Sequence, residues 1–168
     1  MSEAELLEVI ACGETSKVQF KETLENKTSI AAEMVAMSNS KGGEIIFGIK
    51  DKTGEICGLE YSQIQKIGNQ LSSIATDLVK PQIFINTEVV AANVGGKSKR
   101  ILVASIEEGI AKPYKDSQGI IWIKQGGDKR RLTDNNEQIR LFQQSGLVYI
   151  DEMIVPDTSF SDLDREKI

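Results

Sequence analysis

Between Ser38 and Asp51 a helix-like apolar stretch runs into a polar turn with two adjacent glycines and resumes at once as a strand. The segment reads Ser38-Asn39-Ser40-Lys41-Gly42-Gly43-Glu44-Ile45-Ile46-Phe47-Gly48-Ile49-Lys50-Asp51. Glycine tolerates positive φ and lets another backbone or a ligand come close. Gly48 interrupts an otherwise regular strand, which marks a bulge or a close contact. A helix–Gly-Gly–strand–Gly–Asp unit therefore gathers backbone groups, the Asn39 amide and the Asp51 carboxylate around one short strand. Asn39, Gly42, Gly43 and Gly48 form its structural motif. Its backbone N–H groups suit either a ligand phosphate or a tight helix-to-strand turn. The turn is the preferred reading, because helix C-termini repel anions.

Around this unit the elements alternate irregularly. Ser2-Glu3-Ala4-Glu5 is a capping box that opens a short helix ending at Cys12-Gly13. Lys17 to Glu22 alternates and predicts a strand. Asn26 to Ser29 offers N-caps for an almost wholly apolar helix over 29–39. Asp51-Lys52-Thr53-Gly54 predicts a hairpin turn into Glu55–Gly58. Ser62 to Gln65 reads as a second cap, ahead of Ile64, Ile67, Leu71, Ile74 and Leu78, the clearest amphipathic helix of the chain. This stripe suits either a core or a dimer seam. Lys80-Pro81 stops it. Strands at Ile83–Val90 and Arg100–Ile106 flank Asn93-Val94-Gly95-Gly96, a hairpin candidate. A further strand covers Ile120–Lys124, and Asp134 caps a final helix to about Ser145. Without a strict βαβ rhythm the fold class is α+β, one mixed, mainly antiparallel sheet with packed helices.

Charge divides the chain in two. The net charge is −5 over 168 residues. Residues 151–168 hold six carboxylates against two cations, which leaves 1–150 close to neutral. We expect a domain over 1–150 and an acidic linker or tail over 151–168. Two basic clusters stand out in the domain: Lys97, Lys99 and Arg100, then Lys124, Lys129, Arg130 and Arg131. Local clusters of this kind focus a field even in an acidic protein. The second follows Trp122 and flanks Gly126-Gly127, so cations for phosphates and an aromatic for a base fall together; a solvated loop with Trp122 in the core is the plainer alternative.

Histidine is absent, which removes histidine triads and imidazole zinc sites. Cys12 and Cys57 make no metal-ligand spacing and read as reduced thiols of a cytoplasmic protein. No run approaches the ~20 apolar residues of a membrane span. No G-x-x-x-x-G-K-[ST] phosphate loop occurs.

Taken in order, Glu14 to Lys21, Met37 to Gly43, Phe47 to Asp51, Gly58-Leu59, Lys80-Pro81, Lys112-Pro113-Tyr114, Ile121 to Gly127 and Arg130-Arg131-Leu132 resemble the Schlafen/AlbA_2 domain. The resemblance covers about 13–146. It implies a nucleic-acid-binding role, with DNA as the expected partner, at the N-terminus of a longer prokaryotic transcriptional regulator. Phosphate contacts would come from loops near 97–100 and 124–131. No cofactor is implied by that role. The resemblance also brings in a metal-dependent nuclease site at the positions of Glu14, Gln19 and Asp51, which would use Mg²⁺ or Mn²⁺. Gln19 stands where ribonuclease relatives carry a glutamate, so one negative charge is missing, and Glu22 is the carboxylate that would have to replace it. Binding without catalysis is therefore the leading expectation, and a dimerisation or interaction module is the third reading.

Overall fold

The computed structural model describes residues 1–146. The expected tail at 151–168 and the last four residues of the expected domain lie outside them.

Helix α1, Glu3–Cys12, begins as its sequence predicts: Ser2 Oγ accepts from Glu5 N, and the Glu5 carboxylate accepts from Ser2 N at 2.6 Å. Strand β1 is short, Val18–Lys21. Helix α2, Lys27–Asn39, starts two residues earlier than predicted because Asn26 supplies the cap to Ser29 N. It is buried from Ile30 through Asn39, as expected of its apolar composition. Strand β2 follows as Gly43–Phe47.

The double glycine between α2 and β2 has a steric cause. A Cβ on Gly42 would lie 2.7 Å from the Ile106 carbonyl oxygen, and one on Gly43 would lie 2.6 Å from that of Lys17. Two neighbouring backbones thus close on the turn from both sides, and no larger residue fits. Gly48, at φ +99°, ends β2; its N–H and that of Ile49 both donate to the Lys21 carbonyl. The predicted hairpin beyond it reduces to one bridge, Ile49 with Ile56.

Helix α3 spans Tyr61–Ser73 and continues as a π-helical turn over Ile74–Leu78. Its cap is Glu60, whose N–H donates to Gln63 Oε1 at 2.7 Å, so the predicted cap at Ser62 lies two residues too far along. Ile64, Ile67, Leu71 and Ile74 are buried, which assigns the apolar stripe to the core. The remaining elements are β3 (Val79–Lys80), β4 (Ile85–Val94), β5 (Lys97–Ile106), β6 (Lys115–Asp116), β7 (Trp122–Gln125), β8 (Asp128–Arg131) and α4 (Asn135–Gln144).

The main sheet has the order β1-β2-β5-β4. β1 and β2 are parallel, with Val18 opposite Glu44; the other pairings are antiparallel. The architecture is therefore α+β with a mixed sheet, as the sequence predicts, but two ribbons, β3–β6 and β7–β8, stand apart from that sheet. On one sheet face Ile45, Phe47, Leu102, Ala104 and Ile106 pack on α2 and α3. On the other, Phe20, Ile46, Val90, Ala92, Ile101 and Val103 enclose Leu6 of α1. Each fully buried side chain of this size contributes roughly 1.5–3 kcal/mol. Alternation along β1 sends Phe20 into the second cluster and turns Gln19 and Lys21 towards α2. That choice of face creates the site.

Candidate nucleic-acid interface

The β7–β8 ribbon lies along α2 and is fixed there by polar groups. Asn39 Nδ2 donates to the Tyr114 and Trp122 carbonyls, both at 2.9 Å, and Asn39 Oδ1 accepts from Tyr114 N at 2.7 Å. Lys124 N donates to Ser40 Oγ at 3.0 Å. The Trp122 indole N–H donates to Asp116 Oδ2 at 2.7 Å, while Asp116 Oδ1 accepts from Gln118 N and Ile120 N. Asn39 is thus a structural pin for the ribbon. Trp122 is half-buried against the core, and the Arg131 guanidinium sits 5.3 Å from its ring centroid.

Beneath the ribbon runs a buried polar relay. Gln19 Nε2 donates to Glu14 Oε1, which also accepts from Phe20 N at 2.9 Å. Lys124 Nζ donates to Gln19 Oε1 at 3.2 Å, Glu33 Oε2 at 3.3 Å and the Gly127 carbonyl at 2.9 Å. Lys129 Nζ reaches Glu33 Oε1 at 3.0 Å and Ser29 Oγ at 3.4 Å. The Lys124 side chain is 1 % exposed, that of Glu33 4 % and that of Lys129 22 %. Burying such charges is tolerable only because each finds partners. Above the relay is a groove of about 490 Å³ lined by Gln19, Lys21, Ser29, Glu33, Trp122, Asp128 and Lys129. It shares Lys21 and Ser29 with a second hollow of about 360 Å³ that also contains Glu22, Glu25 and Asp51.

The seven cations expected to contact nucleic acid do not share one environment. Lys124, Lys129, Arg130 and Arg131 lie on strands, not on a loop. Lys124 and Lys129 are held by Glu33. Arg130 makes a two-pronged pair with Glu137, at 2.9 and 2.7 Å. This pair raises the Arg130 pKa and holds the Glu137 carboxyl below its ordinary range. Arg131 is exposed on the Trp122 ring. In the other cluster the Lys99 stem packs on Gly58 and its ammonium donates to the Ile56 carbonyl at 2.6 Å. Lys97 and Arg100 are exposed and make no ion pair among the described residues. Carboxylates on α2 and α4 thus take up most of the second cluster, whereas the first keeps Lys97 and Arg100 unpaired among the described residues. Glu33 and Glu137 are the residues that sequence reasoning missed. Glu33 is the one carboxylate inside the apolar run from Ile30 to Met37, and that isolation was the available signal.

The carboxylates of the nuclease alternative are also occupied. Glu14 holds Gln19 and the Phe20 N–H; Asp51 pairs with the Lys21 ammonium. Glu22 lies past the end of β1 beside Asp51, not beside Gln19. Among the described residues no three carboxylate or thiol groups gather as a metal-binding set. With Gln19 neutral and Glu14 and Asp51 each engaged elsewhere, these residues do not fit a divalent cation.

A mixed four-stranded sheet sandwiched by helices, with a polar ribbon laid along its central helix, places the protein among α+β domains of the AlbA_2 class. The chain belongs to the Schlafen, AlbA_2 family, whose model matches residues 14–133. It is similar to an "uncharacterized ATP-binding protein UU034" of Ureaplasma parvum, 40 % identical over 74 residues, covering 42 % of this chain and 21 % of that protein. In structure it is similar to the DIP2311 protein of Corynebacterium diphtheriae, with a TM-score of 0.56 and 25 % identity over 83 % of this chain and 31 % of that one. The chain thus spans between a fifth and a third of the length of these relatives. Among the described residues no helix is long and apolar enough to cross a membrane.

Proposed function

We propose that this domain binds nucleic acid without cleaving it, as the DNA-contacting part of a transcriptional regulator. Family membership supports a nucleic-acid role. The observation that carries the reading is the uncompensated charge on the β4–β5 hairpin. In a chain of net charge −5, Lys97 directly follows Gly95-Gly96 and Arg100 lies further along β5 opposite Ala91, both exposed and with no carboxylate partner among the described residues. Cations displayed in this way gain most when they replace condensed counterions on a phosphate backbone. Arg131 on Trp122 supplies a second, smaller patch with stacking character. ATP binding belongs to the name of the Ureaplasma relative; nothing in this sequence resembles a phosphate loop, and the activity is not proposed for this chain.

The test is duplex binding by fluorescence anisotropy at several salt concentrations. Lys97→Glu/Arg100→Glu weakens binding at least about tenfold and lowers the slope of log affinity against log salt by about 2, roughly 0.9 per lost phosphate contact. An unchanged slope would reject the hairpin as the phosphate site. Loss of labelled RNA or DNA only when Mg²⁺ or Mn²⁺ is added, prevented by Glu14→Ala/Asp51→Ala, would replace the reading with the nuclease one.

A further inference from the structure

The two edges of the main sheet are treated differently. The β1 edge is four residues long, and Glu14 occupies the Phe20 N–H that would otherwise face outward. The β4 edge is ten residues long, without proline, and pairs with β5 in unbroken register from Ile85–Ile106 to Val94–Lys97. The two-residue turn makes Val94 and Lys97 a hydrogen-bonded pair. Hydrogen bonds to β5 then fall to Ala92, Val90, Glu88 and Asn86, and the backbone groups of Asn93, Ala91, Val89 and Thr87 point away from the sheet. Two contacts confirm the phase. Asn93 N donates outward to Glu3 Oε1 at 2.6 Å, and the Arg100 carbonyl, on the far side of β5, accepts from Leu59 N at 2.8 Å. Thr87, Val89 and Ala91 are left exposed, Val89 by 51 %, and their N–H groups have no partner among the described residues. An exposed strand edge of this length is a template for another strand.

We propose that β4 joins two copies of this chain, strand against strand and antiparallel, about a two-fold axis at Val89, merging two four-stranded sheets into one of eight. The edge complements itself in one register. With Val89 opposite Val89 of the second copy, Thr87 faces Ala91 and Glu88 faces Val90, so no like charges meet. One step towards the N-terminus sets two Glu88 carboxylates, each paired with its own Met1 ammonium at 2.8 Å, directly against one another, which places like charges side by side. One step the other way sets Thr87 against Asn93, whose N–H Glu3 already holds, and keeps only the two Val89–Ala91 pairs, whereas in the Val89 register Asn93 meets Ile85 at the end of the ladder and the central pairs stay intact. Small and β-branched side chains at 87, 89 and 91 suit close strand pairing.

The 168-residue chain tests this by sedimentation equilibrium from about 5 to 500 μM. It forms dimers within that range, and Val89→Pro weakens them at least tenfold. Proline at 89 removes an outward N–H and no bond to β5. In a Cys12→Ser/Cys57→Ser background, oxidised Val89→Cys gives a covalent dimer and Thr87→Cys does not, because only residue 89 meets itself at a bridgeable distance. Should Val89→Pro fail to fold, the cysteine pair still decides. A monomer at every concentration, a dimer indifferent to Val89→Pro, preferential cross-linking through Thr87→Cys, or a dimer lost on mutating the exposed Phe84 instead would each overturn the proposal.

Discussion

β4–β5 and β7–β8 are both antiparallel hairpins with glycines at the turn, and each carries one of the basic clusters. Their charges nevertheless face different things. Around β7–β8, Glu33 and Glu137 bind three of the four cations and tie the ribbon to α2 and to α4 respectively. Around β4–β5, Lys97 and Arg100 face solvent, and only Lys99 is turned inward, to a backbone carbonyl. Local basicity therefore serves attachment in one hairpin and display in the other. What separates them is the neighbouring element: β7 lies on a helix that buries a carboxylate, and the β4–β5 tip extends beyond the sheet.

The contrast breaks first, and hardest, at Glu33. Glu33→Ala leaves Lys124 buried without its carboxylate and costs about 3–5 kcal/mol in urea unfolding. Glu33→Leu/Lys124→Met restores most of that loss, since an apolar pair of similar volume replaces the ions. If the single change were nearly neutral, the ribbon would not depend on its cations. Next comes Trp122→Phe, which leaves Asp116 Oδ2 without the indole donor and costs about 1–3 kcal/mol, read from the same curves. Lys97→Glu/Arg100→Glu should do the reverse: stability unchanged within about 0.5 kcal/mol and duplex binding reduced. Equal binding losses from Lys124→Met and from the Lys97/Arg100 pair would erase the distinction between the hairpins. The smallest effect is a pH dependence. Arg130 holds the Glu137 carboxyl below the ordinary 4.5, so the stabilisation from this exposed pair is present above pH 4.5 and fades as pH falls through the lowered value. Thermal midpoints of the protein and of Arg130→Gln should differ above pH 4.5 and converge in stronger acid.

Much of this was legible in the residues. The α1 capping box, the Ile64 to Leu78 stripe, the Gly95-Gly96 turn and the Gly42-Gly43 break are local signals, and each reappears close to where it was read. The cap at Glu60 was missed because a glutamate is an uncommon N-cap, and Ser62 matched the usual pattern better. Strand β7 was legible at Ile120–Lys124, but its partner β8 was missed because Lys129-Arg130-Arg131 carries no apolar alternation. The site was less legible than the fold. Counting basic residues could not show that Lys124 turns inward, because its partner Glu33 lies 91 positions away on another element. Glu14 and Asp51 were picked out as a pair, and the structure gives each a separate cation or amide to hold.

The parallel pairing of β1 with β2 bears on how the molecule is built in time. Val18 meets Glu44 only after α2 has crossed between them, whereas β4 and β5 meet around two glycines. Closing the longer loop must wait for α2 to be ordered, while a tight turn can zip alone. Amide protons of β4–β5 should therefore gain protection first in refolding, and those of Gln19 and Lys21 last. The groove beside α2 is then a late product of assembly, absent from any intermediate in which the first strand has not yet docked.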